Sequence, residues 1–179
     1  MNNNLKEITI VLIAYKSAIK IKRFVKNIPS SVKILIIDNS KDHNLKKIFK
    51  NKKNVKIYFK KNEGYGSSIN YASKIIKTEY FLIVQPDVIG IKKTSLLSFY
   101  KYAKILKDKF AVIGPHFKNA SKRGHYQTSL KYKIKEIHNV HGSTMFFNKK
   151  IFDKNGGFDS SIFLYWEETD YTKRAVKKG

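Results

Sequence analysis

Continuous apolar runs alternate along the chain with segments in which apolar residues recur every three or four positions. Residues 8–14 and 32–37 form two such runs, as expected for strands that are buried on both faces of a parallel sheet. Between them, apolar residues recur at i, i+3, i+4 and i+7, which indicates one face of a helix. These residues are Ile21, Phe24, Val25 and Ile28.

The same alternation continues as far as residue 114. Further strands are predicted at residues 55–59, 80–84 and 110–113, and further helices around residues 45–49, 69–76 and 96–103. Strands that alternate with helices imply parallel pairing and right-handed crossovers, so the pattern predicts an open α/β sheet flanked by helices. The regularity fails at residues 115–140, a basic and aromatic segment that we predict to be a loop or an antiparallel edge excursion. An apolar run at residues 143–147 and a helix from residue 166 follow.

Polar residues gather where the predicted strands end. They are Tyr15, then Asp38, Asn39 and Ser40, then residues 62–66, and finally Gln85, Pro86 and Asp87. In open parallel sheets, ligands bind at the carboxyl ends of the strands. We therefore expect these four segments to form one constellation at a single edge of the sheet.

Each segment also has a purely structural explanation. Asp38 can begin a turn or cap a helix. Asp87 can begin a turn as readily as it can bind Mg²⁺ or Mn²⁺. Gly64 and Gly66 precede a helix, where they can admit a phosphate to the backbone or simply form a left-handed turn. They match neither the dinucleotide-binding fingerprint nor a P-loop.

A cluster of acids stands out near the end of the chain. Glu167, Glu168 and Asp170 lie in the first turn of a predicted helix, where negative charge is favoured by the helix dipole. Aromatic and apolar residues at 163–166 come directly before them. These side chains either form a half-dry pocket suited to a general base or serve only for packing.

The composition limits the classes of function. The 179 residues include no cysteine, which excludes disulfides, thiolate nucleophiles and cysteine zinc sites. The net charge is +24, from 37 basic and 13 acidic residues. Such a surface attracts nucleic acid, anionic lipid or sugar diphosphates, although an AT-rich genome would also inflate lysine. Only three residues are arginine, which argues against specific nucleic-acid readout. With no signal sequence or spanning run, we expect a cytoplasmic protein.

Taken in order, these segments resemble the GT-A glycosyltransferases of family 2, especially the bacterial rhamnosyltransferase-like branch. The resemblance is carried by residues 10–15, 37–42, 62–70, 85–87, 142–145, 156–159 and 165–174. It implies one GT-A domain over residues 1–179. Residues 1–114 would form the nucleotide-sugar-binding half, and residues 115–179 a catalytic and acceptor half that is short or truncated at its C-terminal end.

The resemblance also implies roles for individual residues. The nucleotide sugar would be bound by Ala14, Tyr15, Asp38, Asn62, Gly64, Asn70 and Gln85. Asp87 would bind a divalent metal, Mg²⁺ or Mn²⁺. Glu168 would be the catalytic base and Glu167 would orient the acceptor. Trp166, Asp170 and Arg174 would complete the acceptor side.

The implied reaction is inverting transfer from a nucleoside-diphosphate sugar, dTDP-rhamnose by resemblance, to a glycan or lipid-linked acceptor. The basic surface would hold the enzyme at the inner face of an anionic membrane. Two departures from the family pattern are Gln85, where the first metal-binding acid is usual, and Glu168, where aspartate is usual.

Three alternatives stay open at this stage. The chain can be a non-catalytic or truncated sugar-nucleotide-binding homologue, or a basic nucleic-acid-binding α/β protein. A nucleotidyltransferase of similar fold would need a glycine-rich phosphate loop after the first strand, and residues 15–18 contain no glycine.

Overall fold

A six-stranded sheet forms the centre of the computed structural model, which describes residues 4–115, 134, 136–137 and 139–178. Its strands are β1 (Ile8–Ala14), β2 (Lys33–Asp38), β3 (Val55–Phe59), β4 (Tyr80–Val84), β5 (Val112–Ile113) and β6 (Thr144–Asn148). Their order across the sheet is β3-β2-β1-β4-β6-β5. The pairs β1–β2, β1–β4 and β2–β3 are parallel, whereas β6 runs antiparallel to both of its neighbours. The predicted mostly parallel α/β sheet is therefore confirmed.

Six α-helices flank this sheet. They are α1 (Ala18–Lys26), α2 (Asn44–Phe49), α3 (Tyr65–Ile75), α4 (Lys93–Leu106), α5 (Lys149–Lys154) and α6 (Glu167–Lys177), and a 3₁₀ helix (Asn4–Glu7) precedes β1. The sequence pattern placed the end of α1 two residues too late and the start of α6 one residue too early. None of the helices in the described part of the chain is long and apolar enough to cross a membrane.

Two hydrophobic cores lie on opposite faces of the sheet. All seven residues of β1 are buried, because successive side chains of a strand point to opposite faces and both faces are covered. One face packs against α1, α2 and α4. The other packs against α3, α5 and α6 through an aromatic cluster of Phe147, Phe152, Phe158 and Tyr171. This cluster fixes the position of α6, which carries the acidic residues.

Strand β6 lies between β4 and β5, and this brings the segment before β6 to the edge of the sheet at which β4 ends. Val84, the last residue of β4, pairs with Thr144, the first residue of β6. The backbone N–H of Gln85 donates to the carbonyl of Ser143 at 2.9 Å. Residues 1–114 and 115–179 therefore contribute to one shared sheet. Most of the predicted loop at residues 115–140 lies outside the described residues.

Candidate functional site

The carboxyl ends of β1, β2 and β4 and the amino end of β6 meet at one edge of the sheet, as their registers require. Backbone hydrogen bonds join the loops that follow the strands. The N–H of Asn39 donates to the carbonyl of Ala14, and the N–H of Lys60 donates to that of Asp38, both at 2.9 Å. The polar segments predicted to lie together are thus in loops that backbone hydrogen bonds connect.

Asp38 is fully buried at this edge. One carboxylate oxygen accepts from the backbone N–H of Ser40 at 3.1 Å and from its hydroxyl at 2.7 Å. The other accepts from the backbone N–H of Asp42. Asp38 therefore holds the loop after β2 in shape, as the structural explanation of this turn predicts. Its contact with a nucleotide stays a prediction.

A polar network that the sequence reasoning missed connects the loops after β2 and β3 with helix α3. The side-chain amide of Asn39 donates to the hydroxyl of Ser68 at 2.8 Å and to the side-chain oxygen of Asn62 at 3.4 Å. The same oxygen of Asn62 accepts from the backbone N–H of Gly64 at 3.3 Å. A signal for this network was present, since Ser68 is a buried polar residue in α3 and lies one turn after the glycine-containing loop.

Gly64 brings the loop after β3 against the segment that precedes α6. Its φ is +100°, and a Cβ atom at this position would lie 2.5 Å from the carbonyl oxygen of Phe163. The next residue, Tyr65, donates its backbone N–H to that carbonyl at 3.0 Å. The close approach and the left-handed backbone both require glycine.

The two glutamates at the start of α6 lie in different environments. Glu167 is only 5% exposed, and its Oε2 is buried and has no hydrogen-bond partner among the residues that the structure describes. Burial, and to a lesser extent the neighbouring charge of Glu168, raise the pKa of the Glu167 carboxyl. Glu168 is half-buried, and its carboxylate carbon lies 3.4 Å from where a Cβ of Gly142 would be.

The hydroxyl of Tyr65 contacts the loop before β6. It donates to the carbonyl of Gly142 at 3.3 Å. Burial is the main cause that raises the pKa of this hydroxyl. The carboxylates of Glu167, Glu168 and Asp87 raise it further, in that order. These three predicted acids therefore lie near enough to Tyr65 for their charges to act on its hydroxyl.

Asp87 lies on the open side of the cleft. Its side chain is 60% exposed, and its Oδ2 lies 3.6 Å from the ammonium of Lys20, which is 62% exposed. Both line a groove of about 160 Å³ between α1 and residues 86–91. Gln85 supplies no second carboxylate, and across the described ranges no three histidine or acidic side chains lie together in a way that could hold a metal ion. Within the described residues, the donor set at Asp87 therefore does not form a preformed metal site.

Three predicted site residues hold the turn at residues 155–159. The side-chain amide of Asn70 accepts from the N–H of Phe158 at 2.9 Å and donates to its carbonyl at 2.8 Å. Arg174 donates to Asp170 at 2.8 Å and to the carbonyl of Gly157 at 2.7 Å. These contacts fix the turn against α3 and α6, and direct roles of these side chains in substrate binding stay predictions.

The aromatic segment before α6 faces solvent. Trp166 is 73% exposed, and Phe163, Leu164, Tyr165 and Tyr15 are also exposed. The packing interpretation of residues 163–166 is therefore wrong. Tyr165 and Trp166 both have left-handed backbones, with φ of +66° and +73°. Two such residues in succession are unfavourable for side chains with a Cβ, so the surrounding structure must hold them in place.

Comparisons with known proteins agree with this architecture. A hexosyltransferase of low-salt glycan biosynthesis, Agl10 of Haloferax volcanii, is 23% identical over 196 residues, covering 97% of this chain and 63% of Agl10. The crystal structure of S. aureus TarS 1–349 in complex with UDP-GlcNAc has a TM-score of 0.71 at 19% identity, and the match covers 94% of this chain and 52% of TarS 1–349.

A second solved structure matches equally well. A mannosyltransferase from Pyrobaculum calidifontis, in complex with GDP-Man and Mn²⁺, has a TM-score of 0.72 at 12% identity. The match covers 97% of this chain and 52% of that protein. The chain thus spans between half and two thirds of the length of these proteins. They support the predicted GT-A fold, whereas the rhamnosyltransferase-like branch is not confirmed.

The sequence profile described as glycosyl transferase family 2 matches residues 9–166. The match runs from β1 to the residue directly before the acidic pair, and so includes every strand of the sheet. The chain therefore belongs to glycosyl transferase family 2.

Proposed function

We propose that this chain forms the donor-binding and catalytic part of an inverting glycosyltransferase. Its donor is a nucleoside-diphosphate sugar, and its acceptor is a hydroxyl of a glycan or of a lipid-linked sugar. The main support is that Asp87 follows β4 at the carboxyl edge of the sheet and that its charge acts on the hydroxyl of Tyr65 together with those of Glu167 and Glu168. Family membership agrees with this reaction class.

The proposed reaction is a single displacement. The acceptor oxygen forms a bond to the anomeric carbon while the bond from that carbon to the diphosphate breaks, and the diphosphate leaves with the bonding electron pair. Glu168 accepts the proton of the acceptor hydroxyl as the new bond forms. The carboxylate of Glu168 lies beside Gly142 and is only half-buried, so an acceptor hydroxyl can reach it. Glu167 is buried and would orient the acceptor side of the cleft.

The identity of the donor is proposed only as a class. The solved relatives are described with UDP-GlcNAc and with GDP-Man, and dTDP-rhamnose stays a prediction of the family resemblance. Tyr15, exposed at the end of β1, is the aromatic residue proposed to contact the nucleotide. The divalent metal that the family resemblance implies at Asp87 stays a prediction, because Asp87 is the one carboxylate that residues 85–87 offer to such an ion.

Contact with an anionic membrane is part of the same proposal. It is supported by the net charge of +24, which attracts acidic lipid headgroups, and by the lipid-linked class of acceptor. Binding to vesicles of phosphatidylglycerol but not of phosphatidylcholine, reversed by salt, is the expected result.

A thermal-shift panel tests the donor class. UDP, GDP, dTDP and their sugar conjugates are added separately, each with Mn²⁺ and with EDTA. Because a ligand that binds only the folded state stabilises it, one nucleotide family should raise the Tm by several degrees at a hundredfold excess over Kd. The corresponding nucleosides, which lack the diphosphate, are the control. If no nucleotide raises the Tm in either condition, the proposed function is wrong.

A further inference from the structure

We propose that Lys20 supplies the positive charge that holds the donor's diphosphate beside Asp87, so that donor binding does not depend on a divalent metal. The inference rests on the proposed function, because it assumes a nucleoside-diphosphate donor. It starts from the disagreement between the metal role implied by the family resemblance and the side chains that surround Asp87.

The segment after β4 offers little to a metal ion. Gln85 has a neutral amide in place of a carboxylate, so Asp87 is the one acid of the motif. Mg²⁺ is usually held by one or two carboxylates together with substrate phosphates and waters, so a single carboxylate is the least that such a site offers. A cation of the protein already lies at that carboxylate, since the ammonium of Lys20 is 3.6 Å from the Oδ2 of Asp87.

Lys20 is placed to change partners when a diphosphate arrives. It lies in the first turn of α1, and its side chain is 62% exposed, so no buried contact must break for it to move. An exposed lysine–carboxylate pair contributes about 0–1 kcal/mol to stability, which a doubly charged diphosphate can easily exceed. Lysine is a common phosphate ligand because its ammonium is a compact charge on a flexible stem.

The surroundings of Lys20 favour an anionic ligand over a cation. Arg23 lies one turn further along α1 and lines the same groove as Lys20 and Asp87. Two cations and one carboxylate therefore line this wall of the cleft. A divalent metal bound at Asp87 would have to displace Lys20 and then remain near both positive charges, which Coulomb repulsion opposes.

Replacement of Lys20 by methionine tests the inference, because methionine keeps the apolar stem and removes the charge. Calorimetric titration of UDP, GDP and dTDP in EDTA identifies the nucleotide that the unmutated protein binds. Lys20→Met should then weaken binding of that nucleoside diphosphate at least about tenfold, as the loss of a charged hydrogen bond does. The affinity for the matching nucleoside should not change, and Lys20→Arg should retain most of the affinity for the diphosphate.

Lys22→Met is the matched control. Lys22 is an exposed lysine of the same helix, but it points about 200° away from Lys20 and does not line the groove. We expect it to bind the nucleoside diphosphate like the unmutated protein. Equal weakening by both substitutions would indicate general electrostatic attraction and would overturn a specific role for Lys20.

Asp87→Asn distinguishes the lysine from a metal. If Lys20 holds the diphosphate, the substitution frees its ammonium, and affinity in EDTA is kept or increases. If a metal bound by Asp87 holds the diphosphate, the unmutated protein binds only with Mn²⁺, and Asp87→Asn loses this binding. That second pattern overturns the inference but leaves the proposed donor class intact, whereas failure of all nucleotides in all conditions overturns both.

Discussion

The two sides of the cleft are built in opposite ways. The acidic wall is formed by residues 64–66, Gly142, Glu167 and Glu168. It is closely packed at Gly64 and Gly66, where a Cβ atom would lie 2.5 Å and 3.0 Å from its nearest neighbour. The open wall, formed by residues 85–91 and Lys20, is largely exposed and is joined across the groove by an ion pair at 3.6 Å. Gly90 in this wall has open space around it.

The difference shows which side chains of the cleft are held in position before a substrate binds. A general base must lie within hydrogen-bond reach of the proton that it accepts, and small displacements reduce the rate strongly. The place of Glu168 in the first turn of α6 fixes where its side chain begins, in line with that requirement. A diphosphate carries its own charge and can draw exposed side chains towards it, so the open wall need not be rigid in advance.

The largest expected effect tests the base on the acidic wall. Glu168→Gln removes the proton acceptor and should lower transfer by about 10²–10⁴-fold while the affinity for the nucleotide is kept. The measurement is release of nucleoside diphosphate from the sugar nucleotide that the thermal-shift panel selects. Glu7→Gln, just before β1 at the opposite edge of the sheet, is the control. Turnover of Glu168→Gln at the unmutated rate would show that another group is the base.

A pair of glycine substitutions tests the contrast in packing. Gly64 and Gly90 have similar φ, +100° and +92°, so alanine costs about 1–2 kcal/mol of backbone strain at either position. At Gly64 the new Cβ would also lie 2.5 Å from the Phe163 carbonyl oxygen, which raises the total to about 3 kcal/mol or more. Urea unfolding of Gly64→Ala and Gly90→Ala measures both. Equal losses would contradict the close contact between the loop and the segment before α6.

The smallest effect concerns the buried charge of Glu167. Its pKa is raised in the folded protein by burial, so the folded state binds a proton more tightly than the unfolded state, and the ionised group lowers stability above that pKa. Glu167→Gln should therefore raise the Tm by a few degrees at pH 7. The gain should disappear as the pH falls through the raised pKa, because the glutamate then becomes neutral too.

Thermal unfolding between pH 4 and pH 8 measures this effect. Glu63→Gln is the control, because Glu63 is an exposed residue that pairs with Lys60 on the surface. A gain for Glu167→Gln that does not depend on pH would mean that its packing, and not its charge, causes the difference.

Much of the fold could be predicted from local pattern. The apolar runs that became β1, β2 and β4 are buried on both faces, and the polar residues after them do lie at one edge. The segment that became β6 was recognised as apolar, but its antiparallel direction and its place between β4 and β5 were not predicted. The direction of a strand depends on the path by which the chain returns to the sheet, and the residues of the strand itself do not determine this path.

The candidate site was predicted in part. The grouping of Asp87 with the glutamate pair in one site stays a prediction, supported by the effect of all three charges on Tyr65. The sequence pattern contained no sign that Lys20 pairs with Asp87. The hydrogen bonds by which Asn70 and Arg174 hold the backbone of residues 155–159 were also not predicted. A polar residue in a motif can bind a ligand or its own backbone, and only its neighbours in space distinguish the two.

By itself, the sequence determined the alternation of strands and helices, the polar edge and the acidic first turn of α6, because these follow from periodicity and from residues close together in the chain. The tertiary structure decided which glutamate is buried, which glycine is indispensable and which lysine meets Asp87. Those properties depend on pairs such as Tyr65 and Gly142. These two residues are 77 positions apart in the chain and become neighbours only when β6 pairs with β4 in the sheet.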